Sequence, residues 1–136
     1  MEIVKGWKHG CYINFQIGTL KNGIRTDVEG ISIYDDDFEW IGPIVGKYYP
    51  SFDIYETVNP INRSILERIS YDIYKISLWL KNNEEDTDIQ YYIEWVNKWK
   101  DIQSYPDVIP FFDELSDYIE HLLNNYEFDF LNLEGF

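Results

Sequence analysis

The apolar residues of this chain change their spacing once, and that change limits the folds open to it. Between Cys11 and Tyr34 the period is two: Cys11, Ile13, Phe15 and Ile17 alternate with Tyr12, Asn14 and Gln16, as in a strand with one covered face. Beyond Asn59 the spacing becomes three and four. Ile61, Ile65, Ile69, Ile73, Ile76 and Leu80 form one stripe, and Ile89, Tyr92, Ile93, Val96 and Trp99 a second. Val108, Phe111, Phe112, Leu115, Tyr118, Ile119, Leu122, Leu123 and Tyr126 form a third. Each fits one face of an α-helix. Strand period first and helix period afterwards predict an α+β fold, with an N-terminal antiparallel β-hairpin or small sheet packed against about three C-terminal amphipathic helices. With 136 residues and no repeat, linker or low-complexity stretch, residues 1–136 read as one globular domain.

Local signals place the boundaries. Asn22-Gly23 is a hairpin turn signal, Val28 to Tyr34 carries the chain back, and Gly30 marks a bulge. Residues 38–58 are broken by Gly42, Pro43, Gly46 and Pro50 and read as short strands or aromatic loop. Asn59-Pro60 starts the first helix, "KNNEEDTD" stops it, and Asp86 or Thr87 caps the second. Ser104 to Pro106 separates the third, with Pro110 in its first turn. The tail, Glu127 to Phe136, reads as a further strand, an extended docking segment, or a strand offered to a neighbouring chain.

Charge narrows the function. The chain carries 25 acids, 11 bases and a net charge of -14. Residues 1–25 hold Lys5, Lys8, Lys21 and Arg25 against Glu2, so the remainder carries -17. Such a field repels nucleic acid and anionic lipid, both of which need cationic contacts, and attracts a basic protein. One cysteine, Cys11, excludes an internal disulfide framework and a cysteine-rich zinc site, and fits a cytoplasmic protein. No segment has the apolar length of a signal peptide or membrane span. Acidic disordered chains are poor in aromatics, whereas this one has 25 Phe, Trp and Tyr residues, as a folded domain would. Tyr71, Tyr74, Trp79, Tyr91 and Trp95 fall off the helical stripes. Each is core or sheet cover before it is an exposed anchor.

Catalytic and metal signatures are weak. Asp35, Asp37 and Glu39 would share a face on extended backbone and could then hold a divalent ion. The calcium-loop pattern fails, however, since its sixth and twelfth positions counted from Asp35 are Trp40 and Gly46. His9 and Cys11 on one side of a strand would suit a thiolate–base pair, against the plainer expectation of a buried cysteine and a surface histidine. His121 follows Asp117 by four residues, as in an exposed ion pair. None of the common hydrolase, nucleotide-binding or zinc-peptidase motifs occurs. The expectation is a protein without catalytic residues, metal or cofactor. The third helix instead turns Asp113, Glu114, Asp117 and Glu120 away from its apolar stripe, with no base among them. Solubility alone usually mixes the signs of charge.

Small size, a single cysteine, strong acidity and surplus aromatics together resemble the immunity proteins of bacterial toxin systems, the contact-dependent inhibition and polymorphic-toxin kind. The resemblance covers the whole chain and is carried by "IYDDDFEWIGP" and "FFDELSDYIEHLL". It implies a cytoplasmic protein that neutralises a basic toxin domain, a nuclease above all, by covering its active site. Asp35, Asp36, Asp37 and Glu39 would then meet Lys and Arg of the toxin. Trp40 would be the anchor beside them, and the third-helix acids a second patch. Two alternatives use the same residues: a phage-type DNA mimic acting on restriction or CRISPR machinery, with carboxylates roughly 5 to 6 Å apart along helices, and a small enzyme or metal-binding domain built on Asp35, Asp37 and Glu39.

Overall fold

The computed structural model describes residues 1–21 and 24–135. It is an α+β fold in which a five-stranded antiparallel sheet, ordered β1-β3-β2-β5-β4, packs against helices. The strands are β1 (Ile3–Lys5), β2 (Tyr12–Lys21), β3 (Ile24–Tyr34), β4 (Pro60–Asn62) and β5 (Phe130–Glu134), and the helices are α1 (Asp35–Phe38), α2 (Gly42–Tyr48), α3 (Arg63–Asn82), α4 (Gln90–Trp99) and α5 (Val108–Asn125). The expected Asn22-Gly23 turn lies outside the described residues.

The alternation in β2 does what its period requires. Ile13 pairs with Ile33, Phe15 with Ile31 and Leu133, and Ile17 with Leu131, so these side chains share the inner face and are buried. The helical stripes close over them: Ile69, Ile73 and Ile76 of α3, Tyr92, Ile93 and Val96 of α4, and Phe111, Phe112, Leu115 and Ile119 of α5 join one core. Helices α3 and α5 run antiparallel, because Arg63 at the start of α3 donates to the carbonyls of Leu123 and Tyr126 at the end of α5, while Lys81 at its other end meets Asp113. Arg63 thereby satisfies carbonyls that the end of α5 leaves open.

Several expectations need correction. Residues 38–58 were expected as strand or loop, yet Gly42–Tyr48 is helical with Pro43 in its first turn, where a missing N–H costs nothing. Asn59 does not start α3. It is buried, its side chain donating to the Asp53, Glu56 and Leu133 carbonyls, while Asn62 caps the helix by accepting from Ile65 N–H at 2.8 Å. Asp86 does cap the short turn leading into α4. Gly30 is not the bulge, which falls between Ile17 and Gly18, opposite Val28. At Gly30 a Cβ would lie 2.7 Å from the Phe15 carbonyl oxygen, so close strand approach explains that glycine. The tail forms β5 and inserts between β2 and β4.

The outer face of the sheet is not open, as a half-buried strand would leave it. Asn14 exchanges hydrogen bonds with the Lys8 backbone, Ser32 donates to the Gly6 carbonyl, and Asn132 donates to that of Thr57. Buried Asn14, Ser32 and Asn132 thus fasten two loops over the strands, and each loop backbone satisfies them in return.

Candidate functional site: an acidic seam beside β1

The "IYDDDFEW" stretch is helical from Asp35 to Phe38, and this decides where its acids go. Successive helical residues diverge by about 100°, so Asp35, Asp37 and Glu39 cannot share a face as extended backbone would allow. Asp35 accepts from the Asp36 N–H at 2.8 Å. Asp36, Asp37 and Glu39 turn into a cleft of about 360 Å³ that is completed by Asp107, Tyr105 and Lys100. Burial, helped by the neighbouring Asp36 charge, raises the Asp37 carboxyl above the usual carboxylate range, against the pull of the Met1 amino group and a hydrogen bond from the Glu2 backbone N–H. The exposed Tyr34 hydroxyl is raised as well, chiefly by the charges of Asp36 and Asp35. The Tyr34 shift reports the negative field of the α1 acids, whereas the Asp37 shift is mainly one of burial.

Trp40 is not a surface anchor: it is 2 % exposed. Its ring packs edge-on against Trp95 and Tyr105, and its carbonyl accepts from the Tyr92 hydroxyl at 2.6 Å. An indole within the α4 and α5 core removes more apolar surface from water than one projecting into solvent. The exposed ring at the cleft is Tyr105. Lys100 is the cleft's cation, 14 % exposed, with Nζ 2.7 Å from a Glu39 carboxylate oxygen and 5.3 and 5.7 Å from the ring centres of Trp40 and Trp95. Glu39 is therefore partly neutralised, while Asp36, Asp37 and Asp107 supply the cleft's remaining negative charge.

On α5 the four acids divide. Asp113 faces α3, taking Lys81 at 2.9 Å and the Ser77 hydroxyl at 2.6 Å, and these hydrogen bonds hold its carboxyl below the usual range. No base lies near the α5 acids in sequence, and the fold supplies one, because Lys81 arrives from another helix. Glu114 and Asp117 line a second cavity of about 460 Å³ with Ile3, Lys5, Tyr118 and His121. Glu120 is exposed further along the helix. His121 lies against the Tyr126 ring, with Nδ1 3.1 Å from the Asn125 amide nitrogen.

The two cavities lie along one seam. Met1, two residues before β1, lines the first, whereas Ile3 and Lys5 of β1 line the second. Asp107 and Glu114 are seven residues apart, two turns of helix, hence on one side of α5 and about 10 Å apart along it. Asp36, Asp37, Asp107, Glu114 and Asp117 therefore border the β1 segment together, with the Met1 amino group, Lys5 and Lys100 as the cations among them.

Among the described residues no three His, Cys, Asp or Glu side chains converge to hold a metal ion, so the metal-ligand arrangement of Asp35, Asp37 and Glu39 is not formed. His9 and Cys11 sit in the loop before β2 rather than on a strand; Cys11 is exposed, not buried, and His9 lies 4.0 Å from the Trp7 ring centre. No helix among the described residues is long and apolar enough to cross a membrane. Sequence reasoning missed Asp107, Lys100 and Tyr105. Asp107 was readable as the acid before the third helix, but nothing in the sequence brings it to Asp36. No protein family, curated protein or solved structure matches this chain.

Proposed function

We propose that this chain is a binding protein that neutralises a basic protein domain, of the kind formed by nuclease toxins, by laying the acidic seam beside β1 over the cationic site of its partner. The observation that carries this reading is the gathering of Asp36, Asp37, Asp107, Glu114 and Asp117 along β1 and α5, on a chain of net charge -14. Lys and Arg side chains of the partner enter the two cavities. Tyr105 supplies an exposed aromatic wall at the first. The negative field speeds the encounter, and occlusion of the partner's active site is the mechanism.

The test is capture of partners by the tagged chain from its host lysate, washed at low and then high salt, with bound proteins identified by mass spectrometry. A single basic nuclease-like domain is the expected result. Restriction or CRISPR components would instead favour a DNA mimic, and a stoichiometric divalent ion in elemental analysis of the purified chain would favour a metal-dependent role. With the partner in hand, Asp36, Asp37 and Asp107 changed together to Asn slow association by roughly ten-fold or more at low salt and flatten its salt dependence. An unchanged association rate would remove the seam from the interface.

A further inference from the structure

The two edges of the sheet end differently. At β4, the Leu133 N–H bonds to the Asn59 carbonyl at 3.1 Å, and bonded and non-bonded pairs alternate along an antiparallel ladder. Ile61 is therefore the next bonded residue and Pro60 faces outward, where its missing N–H gives an incoming strand no donor. At β1, the Gly6 N–H bonds to the Gly30 carbonyl at 3.0 Å. By the same alternation Val4 bonds to Ser32, while Ile3 and Lys5 turn their N–H and C=O groups away from β3. No described residue takes these groups. Strand β1 thus offers an open edge that β4 does not.

Beside that edge lies a groove. Ile3 and Lys5 stand opposite Ile33 and Ile31, so their side chains share the inner face of the sheet with α5. Across the cavity of about 460 Å³, α5 presents Glu114, Asp117, Tyr118 and His121, whose spacing of three, one and three makes a single stripe of the helix. Glu114 and Asp117 are exposed, and no described side chain forms a hydrogen bond or ion pair with either carboxylate. Lys5 offsets one of these two charges.

We propose that an extended segment of the basic partner adds to β1 as a sixth strand, with Arg or Lys side chains at alternate positions reaching Glu114 and Asp117. This rests on the reading that the partner is a basic protein, and it says how that partner is held. Residues directly opposite Ile3 and Lys5 turn their side chains to the same inner face. One strand in one register therefore meets both the backbone groups and the acids. Strand addition draws affinity from main-chain bonds and specificity from pockets for alternate side chains. A second copy of this chain does not fit that groove. Antiparallel pairing through β1 about a two-fold axis would set two α5 stripes on the same side of the joint, acid beside acid.

The test uses the full chain and a short synthetic peptide, acetylated and amidated, in which arginine and threonine alternate, with amide hydrogen exchange read by NMR. Saturating peptide is expected to slow exchange at the Ile3 and Lys5 amides by about ten-fold or more, while Val4, already bonded to Ser32, changes little. Lys5→Ala keeps the backbone donor and removes the competing ammonium, so it binds at least as tightly as the wild type. Lys5→Pro removes the donor too and weakens binding by about ten-fold relative to Lys5→Ala. A Val4 amide still protected in Lys5→Pro establishes that β1 remains paired with β3. Glu114→Gln combined with Asp117→Asn weakens binding several-fold, and a peptide with glutamate in place of arginine does not bind. Absence of binding at millimolar peptide overturns the proposal, as does binding that leaves Ile3 and Lys5 exchange unchanged, or equal affinity of Lys5→Pro and Lys5→Ala. Slowed exchange that rises with protein concentration in the absence of peptide would assign the edge to a second copy and overturn it as well. Capture from lysate decides separately whether a basic partner exists: protected Ile3 and Lys5 amides without a captured basic domain would sink the function proposed above and leave the edge as a site for basic strands.

Discussion

Asp72, within the long helix α3, and Asp37, within the short α1, are both helical acids, yet the fold uses them in opposite ways. Asp72 of α3 is 1 % exposed. Tyr48 donates its hydroxyl to it at 2.9 Å and Tyr91 at 2.7 Å, from α2 and α4. Lys47 Nζ stands 3.7 Å from the same carboxylate and 4.1 Å from the Tyr91 ring centre. Three elements are thus fastened to one buried charge by its hydrogen bonds. Asp37 lies half-buried in a cleft where its nearest acidic neighbour, Asp36, makes ionisation harder. A charge can remain buried where donors replace its lost hydration, and it is held at a cost where they do not. Asp72 therefore belongs to the architecture, while Asp37, with one backbone N–H from Glu2 and the Met1 amino group nearby, is compensated only in part.

The largest effect expected from this contrast is at Asp72. Asp72→Ala strands two tyrosine hydroxyls and Lys47, and costs about 3 kcal/mol, read as a lower urea midpoint. A loss below about 1 kcal/mol would mean that water or Lys47 rearranges to replace the carboxylate, and the contrast with the cleft would fail.

The same network sets an alkaline limit. Burial, then the hydrogen bond to Asp72, pushes the Tyr48 hydroxyl up to about 12; Tyr91 is raised too, by burial and by the same carboxylate. Above pH 10 the unfolded chain loses its phenolic protons while the folded chain keeps them. Stability is therefore fully present below pH 10 and falls as pH approaches 12. In Tyr48→Phe part of this fall should disappear, giving a shallower drop in melting temperature between pH 10 and 12. A slope equal to that of the wild type would place the alkaline sensitivity elsewhere.

What could be read in the sequence follows from the range of the forces involved. The stripes of α3, α4 and α5, the β2–β3 alternation and the Asp86 cap depend on neighbours within a few residues, and the structure has them where the periodicity puts them, except that Ile61 lies in β4 ahead of α3 and Trp99 at the end of α4 is exposed. The placement of β5 between β2 and β4 depends on residues more than 60 positions apart, and no local pattern encodes that. The site divides in the same way. Asp36 and Asp37 stood out as a run, but Asp107 and Lys100 join them only through the folding of α4 and α5 around Trp40. Trp40 was misread because an acidic neighbourhood suggests a surface, whereas the turn after α1 points adjacent residues in different directions: Glu39 is exposed and Trp40 buried.

The bond that Asp37 accepts from the Glu2 N–H is one that an Asn carbonyl can keep, so removing the charge of the cleft acids should leave stability nearly unchanged. Asp36, Asp37 and Asp107 changed together to Asn are expected to shift unfolding by no more than about 0.5 kcal/mol in either direction, in contrast to the loss from Asp72→Ala. A large destabilisation would show that these acids hold α1 against α5, and would assign them to the architecture beside Asp72.

The smallest effect is the sharpest, because its sign is fixed. With the Asp37 carboxyl raised above its ordinary value of 3.8 by burial, the unfolded chain ionises first as pH rises, so ionising Asp37 disfavours the folded state above that range. Asp37→Asn removes this cost. Its melting temperature should exceed that of the wild type at pH 7, by the equivalent of less than about 1 kcal/mol, and the advantage should vanish near pH 3, where the wild-type carboxyl is protonated as well. An Asp37 stabilised by its surroundings would give the reverse, a variant weaker at pH 7 and equal in acid. That outcome would mean that the Glu2 N–H and the Met1 amino group outweigh burial and leave no deficit for a partner to fill.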